Sequence, residues 1–199
     1  MRVRGYCVAL LGPDGAGKTT VGQSLVAAYP GEVLYLYSGL SPEADRDHWL
    51  RKLPRGGRIL RLSRIVTNGL KARAALRRGA LVLLDRAPQE FRLDGGHHGA
   101  GLALRVAALR LLAPSPDLAV LLDAPAEVLF ARKGEHTVEI LERMREGYRG
   151  LLPSFPASAV VDVRADREAV LAAVIRTIDA RRSSARKGAQ PSSAGAAAS

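Results

Sequence analysis

The sequence predicts an α/β domain of three layers, a five-stranded parallel sheet covered by helices on both faces and entered through a glycine-rich loop. Three observations carry that expectation. Five short apolar runs, at 3–11, 33–37, 80–85, 118–125 and 159–163, alternate with segments of helical period, the pattern of strand, crossover helix and parallel strand. Two of them, "ALVLLD" and "LAVLLD", are unbroken apolar stretches ending in aspartate, as expected of strands buried on both faces. The first run feeds directly into "GPDGAGKTT", which fits the G-x-x-x-x-G-K-[ST] pattern.

"VRGYCVALL" stops at a glycine and reads as a buried strand entering a tight loop. The following helix spans 18–29 and stops at Pro30-Gly31. After the strand "VLYLY", residues 38–57 hold Pro42 and Pro54 and read as a loop with at most one short helix. Over 58–78, Ile59, Leu62, Val66, Leu70 and Ala74 recur at helical spacing with arginines between them, giving one apolar and one basic face. Gly79 ends that helix. The stretch after Asp85 is loop-like and leads to a helix at 102–112 ended by Pro114. Helices at 126–133 and 137–151 break around Gly134, and a last helix spans 167–181. One domain is expected over 1–182, with 183–199, rich in Ser, Ala and Gly, as a disordered tail.

Composition narrows the function classes. No apolar run approaches the roughly 20 residues of a membrane span, and "MRVRGYCVALLG" passes into the glycine loop instead of a cleavage site, so a cytoplasmic protein with no membrane partner is expected. Cys7 is the only cysteine, which excludes an internal disulfide and reads as strand packing. A net charge of +11 predicts attraction to phosphate-rich partners. Seven basic and no acidic residues fall within 57–79, although an arginine-rich coding bias gives the same surplus.

The loop defines a donor site. Gly12, Gly15 and Gly17 permit backbone angles that turn successive N–H groups onto phosphate oxygens, and the next helix adds its positive end. The phosphate-binding set is therefore Gly12, Pro13, Asp14, Gly15, Ala16, Gly17, Lys18, Thr19 and Thr20, with Lys18 reaching the outer phosphates and Thr19 ligating Mg²⁺. A GTPase would carry D-x-x-G after its third strand and N-K-x-D later, and neither is found there. Asp85-Arg86 follows instead, an acid placed for Mg²⁺ or its waters beside a cation able to grip a second phosphate.

With these residues in view, the chain resembles the thymidylate kinases and related P-loop nucleoside monophosphate kinases. The resemblance rests on "GPDGAGKTT", "RRGALVLLDRA" and "PDLAVLLDAPAEVLFARKGE" continuing to "ERMREGY", and extends over roughly 4–180. It implies transfer of the ATP γ-phosphoryl group to a small phosphorylated acceptor, with a nucleoside monophosphate leading. It implies that Asp14 faces the acceptor, that Arg64 contacts its base, and that Asp85 and Arg86 meet its phosphate. Because Gly15 and Ala16 stand where some relatives place a loop arginine, the resemblance assigns catalytic cations to a lid at about 132–145: Arg132 and Lys133, with Arg143 and Arg145 in reserve. Those side chains alternate with Glu135, Glu139, Glu142 and Glu146, which also fits an ion-paired helix face.

The acceptor side departs from the family. "YLYSGLSPEADRD" replaces an Arg-Glu-Pro-Gly run, "APQEFRLDGGHHGAG" replaces the residues that read thymine, and Leu11 replaces a glutamate. A sugar phosphate or other non-nucleotide acceptor therefore competes within the enzyme class. From another class, a regulatory ATP-binding protein contacting nucleic acid through 58–78 is the alternative, disfavoured because such a module needs no acceptor-side pair. A homodimer is compatible with the sequence. His97-His98 project in different directions and lack partners at zinc spacing. Asp123 is expected to cap the helix after its Asp-Ala-Pro turn, with a second magnesium acid as the other reading. Trp49, Tyr35 and Tyr37 are expected to pack beneath the neighbouring loop, with stacking on a base or sugar as the other reading.

Overall fold

The computed structural model describes residues 4–37, 56–85, 87, 89–90, 93 and 111–188, without the side chains of 56–62, 64 and 187–188. Its strands and α-helices are β1 (Tyr6–Leu11), α1 (Lys18–Ala28), β2 (Val33–Tyr37), α2 (Gly56–Arg78), β3 (Leu81–Asp85), β4 (Leu118–Asp123), α3 (Ala126–Lys133), α4 (Val138–Leu151), β5 (Ser158–Asp162) and α5 (Arg167–Gly188), with a 3-10 turn at Leu152–Ser154 after α4. The strands form one sheet in the order β2-β3-β1-β4-β5, and all four pairings are parallel. The expected fold class is the one found.

Strand alternation sorts the helices into two layers. Val8, Leu10, Leu81, Leu83, Val120 and Leu122 face one side and pack with Val21 and Leu25 of α1 and Val170, Val174 and Ile178 of α5. Cys7, Val82 and Leu84 face the other side beneath Ala72 and Ala75 of α2. Ala9, Leu11, Ala119 and Leu121 lie under Tyr148 and Leu151 of α4. Small residues at Ala9, Ala119, Ala72 and Ala75 let these helices approach the sheet closely. Cys7 is fully buried, and that burial raises its thiol pKa, so it is core packing as expected.

Two boundaries differ from the sequence expectation by more than two residues. β1 begins at Tyr6 instead of residue 3, where Gly5 leads in and a Cβ would lie 2.6 Å from the Leu76 backbone. α5 continues to Gly188, six residues into the expected tail, because Ser184 returns its hydroxyl to Ala180 O and the Ser-Ala-Arg-Lys composition tolerates helix once a packed helix precedes it. Residues 189–199 and nearly all of the expected helix at 102–112 lie outside the described residues. No described helix is long and apolar enough to cross a membrane.

Leu121 is fully buried in the layer under α4. Leu121→Ala is expected to lower stability by about 3 kcal/mol, read as a drop in the urea midpoint without a change in slope.

Candidate active site

The phosphate loop is wedged between the end of β4 and α3, and two glycines make the fit possible. Gly12 has φ 148°, and a Cβ there would come 2.6 Å from Leu122 O. Gly15 has φ 85°, with Leu129 O at 2.8 Å from the same hypothetical atom. Gly17, also at positive φ, caps α1 with no side chain accepting from its first N–H groups, which leaves that helix end to an anion. Lys18 Nζ donates to Gly12 O at 2.6 Å and Pro13 O at 3.0 Å, so its charge lies over the loop it serves. Loop backbone, helix end and ammonium together fit a chain of phosphates.

Register places the acid. Leu10 of β1 and Tyr37 of β2 both pair with Asp85, so the last residue of β3 emerges beside the loop that β1 enters. Asp85 is 1% exposed. Its Oδ2 lies 3.4 Å from Thr19 Oγ1 and also accepts a short hydrogen bond from the Tyr35 hydroxyl. A buried carboxylate beside a threonine hydroxyl is a hard oxygen pair of the kind Mg²⁺ prefers. Tyr35 packs against Gly22 of α1 and in addition orients Asp85, a hydrogen-bonding role outside the sequence expectation. Period-2 alternation in β2, with Leu36 turned to the α2 side, is the sequence signal that would have aimed Tyr35 toward α1.

The lid is where the structure revises the expectation. Residues 134–137 form a four-residue turn, Gly134 closing α3 in the left-handed region and Thr137 capping α4 by accepting from Ile140 N. The rest of the expected lid is regular helix, held down from below by Asp123. Instead of capping α3, whose N-cap is Pro125 with no side-chain bond, Asp123 accepts from Arg145 Nε at 2.8 Å and Arg149 Nη2 at 2.6 Å. Arg145 also pairs with Glu142. A carboxylate 5% exposed at the end of β4 requires such partners, so it draws α4 onto the sheet and removes Arg145 from the cations available to a ligand. Burial pushes the Asp123 carboxyl up, and the two arginines more than offset this, leaving it below the ordinary carboxylate range.

The remaining lid cations separate. Arg132 Nη2 donates to Val163 O at 2.6 Å, just past β5, so its guanidinium is seated by the backbone after the edge strand. Arg143 lies along the outside of α4 with Nε 3.5 Å from Glu139 O. Lys133 pairs with Glu135 at 2.9 Å and lines a small concavity with Asp14, Leu129, His136 and Leu141. Asp14 is met there by His136 Nε2 at 3.2 Å, a contact across 122 positions of sequence that sequence reasoning missed and that no local pattern signals. The Arg64 side chain, Arg86, Trp49, His97 and His98 lie outside the described residues.

Two outcomes test this geometry. Tyr35→Phe leaves Asp85 short of a donor and is expected to cost about 1–3 kcal/mol in chemical denaturation, and Gly22→Ala, which displaces the ring, is expected to reproduce it. Asp123→Ala is expected to cost about 3 kcal/mol near neutrality. A depressed carboxyl stabilises the fold above its ordinary pKa of about 3.9 and loses that contribution as pH falls further, so the penalty should shrink below about pH 4 in acid titrations followed by circular dichroism.

No family model matches the chain. The thymidylate kinase of Xanthomonas oryzae pv. oryzae (strain PXO99A) is 34% identical over 188 aligned positions, covering 84% of this chain and 80% of that protein. The thymidylate kinase of Xanthomonas campestris pv. campestris (strain B100) is 35% identical over 189, with the same coverage, and that of Xylella fastidiosa (strain 9a5c) 32% over 193, covering 86% and 89%. Among solved structures, deoxyadenosine kinase from M. mycoides superposes with a TM-score of 0.52 at 13% identity, over 88% of this chain and 99% of that one, a likeness of fold. Identity above 30% across most of both lengths, on a fold whose β1 loop and β3 aspartate meet as described, places the chain in the thymidylate kinase family.

Proposed function

We propose that the chain is an ATP-dependent kinase that transfers the γ-phosphoryl group to the phosphate of a small acceptor, a nucleoside monophosphate. The observation that carries this reading is the meeting of Asp85 with Thr19 beside Lys18 at the mouth of the loop. Kinship with enzymes named thymidylate kinase supports the acceptor class.

In this reading the N–H groups of Gly15 to Thr20 and the start of α1 hold the phosphates of ATP. Lys18 exchanges its two loop carbonyls for the outer phosphates, an exchange that places one positive charge where negative charge gathers during transfer. Thr19 and Asp85 would supply oxygens for Mg²⁺, which when bound would neutralise charge on the donor phosphates. Tyr35 keeps Asp85 aimed at that position. Arg86, following Asp85, would grip the acceptor phosphate, Asp14 would face the acceptor, and Arg64 would reach its base. Arg132 and Lys133 remain the lid cations assigned to the reaction, and of these Lys133 shares a concavity with Asp14. Such a transfer asks the protein mainly for alignment and charge, which is what these groups provide.

An ADP-release screen of the purified chain against nucleoside monophosphates, nucleosides and sugar phosphates tests the acceptor. Turnover is expected on a nucleoside monophosphate, thymidine monophosphate being the first to try. Activity confined to sugar phosphates would replace the acceptor while keeping the kinase, and retention of DNA or RNA at physiological salt without turnover would favour the regulatory alternative. Lys18→Ala is expected to lower kcat by about 10²–10³-fold with the circular dichroism spectrum unchanged. Arg86→Ala should raise the acceptor KM or lower kcat at constant ATP affinity.

A further inference from the structure

The turn between α3 and α4 brings three metal-ligating side chains to one place that the phosphotransfer reading does not use as a set. Asp14, Glu135 and His136 each offer one ligand atom, and these atoms all lie within 4.8 Å of one another. Two of them, Asp14 Oδ2 and His136 Nε2, are already 3.2 Å apart. Ligands at about 2.0–2.1 Å from a tetrahedral zinc ion stand roughly 3.3 Å from each other, so this pair is spaced as two such ligands would be. Glu135 is half-exposed, and its side chain is free to swing the remaining distance once it leaves Lys133.

We propose that Asp14, Glu135 and His136 form a binding site for a first-row divalent ion, zinc above all, that clasps the α3–α4 turn to the phosphate loop. The donor set is one imidazole and two carboxylates, which suits zinc, cobalt or manganese and is distinct from the all-oxygen pair of Thr19 and Asp85. Leu129 and Leu141, 0% and 2% exposed, line the same concavity and give the ligands an apolar backing that limits competition from water. The Lys133–Glu135 pairing is exposed and weak, so a dication can displace it from the Glu135 carboxylate. Both halves of the site are firmly seated. Gly15 holds the loop against Leu129 O, and Arg145 with Asp123 holds α4, so the ligands approach one another from fixed elements. An ion there would tie up Asp14, and zinc would then slow acceptor use; that consequence, unlike the site itself, rests on the proposed kinase reading.

Binding is tested on the full chain without nucleotides, so the result does not depend on the kinase assignment. Zinc titration by calorimetry, in millimolar Mg²⁺ to occupy the oxygen site, is expected to show one equivalent bound, and cobalt substitution the visible absorption of a four-coordinate site. His136→Asn should weaken zinc binding by about 100-fold and Glu135→Gln by about tenfold. Glu135 is exposed and its substitution should leave the thermal melt of the metal-free chain unchanged, which keeps the test sound if the His136 variant folds poorly. Absence of binding below about 100 μM zinc would overturn the proposal. So would affinity unchanged by both substitutions, or binding that persists in them and disappears in the His97→Asn, His98→Asn double variant.

Discussion

Parallel pairing of β1 with β3, in the register that sets Leu10 opposite Asp85, is the constraint on which the site depends. A parallel ladder sends both strands out of the sheet at the same edge, so whatever follows β1 is met by whatever ends β3. Here a glycine-rich loop follows β1 and a buried aspartate ends β3, and Thr19 and Asp85 come within 3.4 Å although 66 positions separate them. The third strand of the group, β2, adds Tyr35 on the α1 side of the same edge. Remove the register and the glycine-rich loop has no acid beside it.

The acids buried at this edge are stabilised in different ways, and the difference separates site from scaffold. Asp123 is neutralised by two guanidinium groups, a pairing that fixes α4 and leaves little for a ligand to gain. Glu90 accepts from Ala87 N at 2.6 Å and from the Tyr148 hydroxyl at 2.9 Å, tying the chain just beyond Asp85 to α4. Asp85 has only hydroxyl donors, Thr19 and Tyr35, among the described residues. Neutral donors orient a carboxylate without cancelling its charge, which is the condition for attracting a cation.

Close backbone contact does for the loop what ion pairs do for α4. Gly12 against Leu122 O and Gly15 against Leu129 O leave no room for a side chain, so the loop is held by β4 and α3 before any ligand arrives. Preorganised N–H groups lose little further freedom on binding phosphate. The same seam carries Asp14 toward His136, which makes the α3–α4 turn a neighbour of the phosphate site in spite of its shortness.

The sequence alone determined the fold class, the glycine loop and the aspartate that ends β3, because each is written in local pattern: apolar runs at strand length, glycines at fixed spacing, an acid at a strand end. Helix extents were legible wherever a proline or glycine punctuates them, as at Pro30 and Gly134, and were misjudged at the end of α5, where nothing local marks a stop. The fates of the arginines were not legible. Arg132, Arg143 and Arg145 share one composition and one stretch of chain, yet Val163 O takes the first, the α4 surface the second and Asp123 the third. Which acceptor a guanidinium finds depends on strands that are distant in sequence and adjacent in the sheet, and the same holds for Tyr35 on Asp85 and His136 on Asp14. Tertiary structure decided these partners because a polar or charged group takes the nearest partner that can satisfy it, and nearness is set by the sheet.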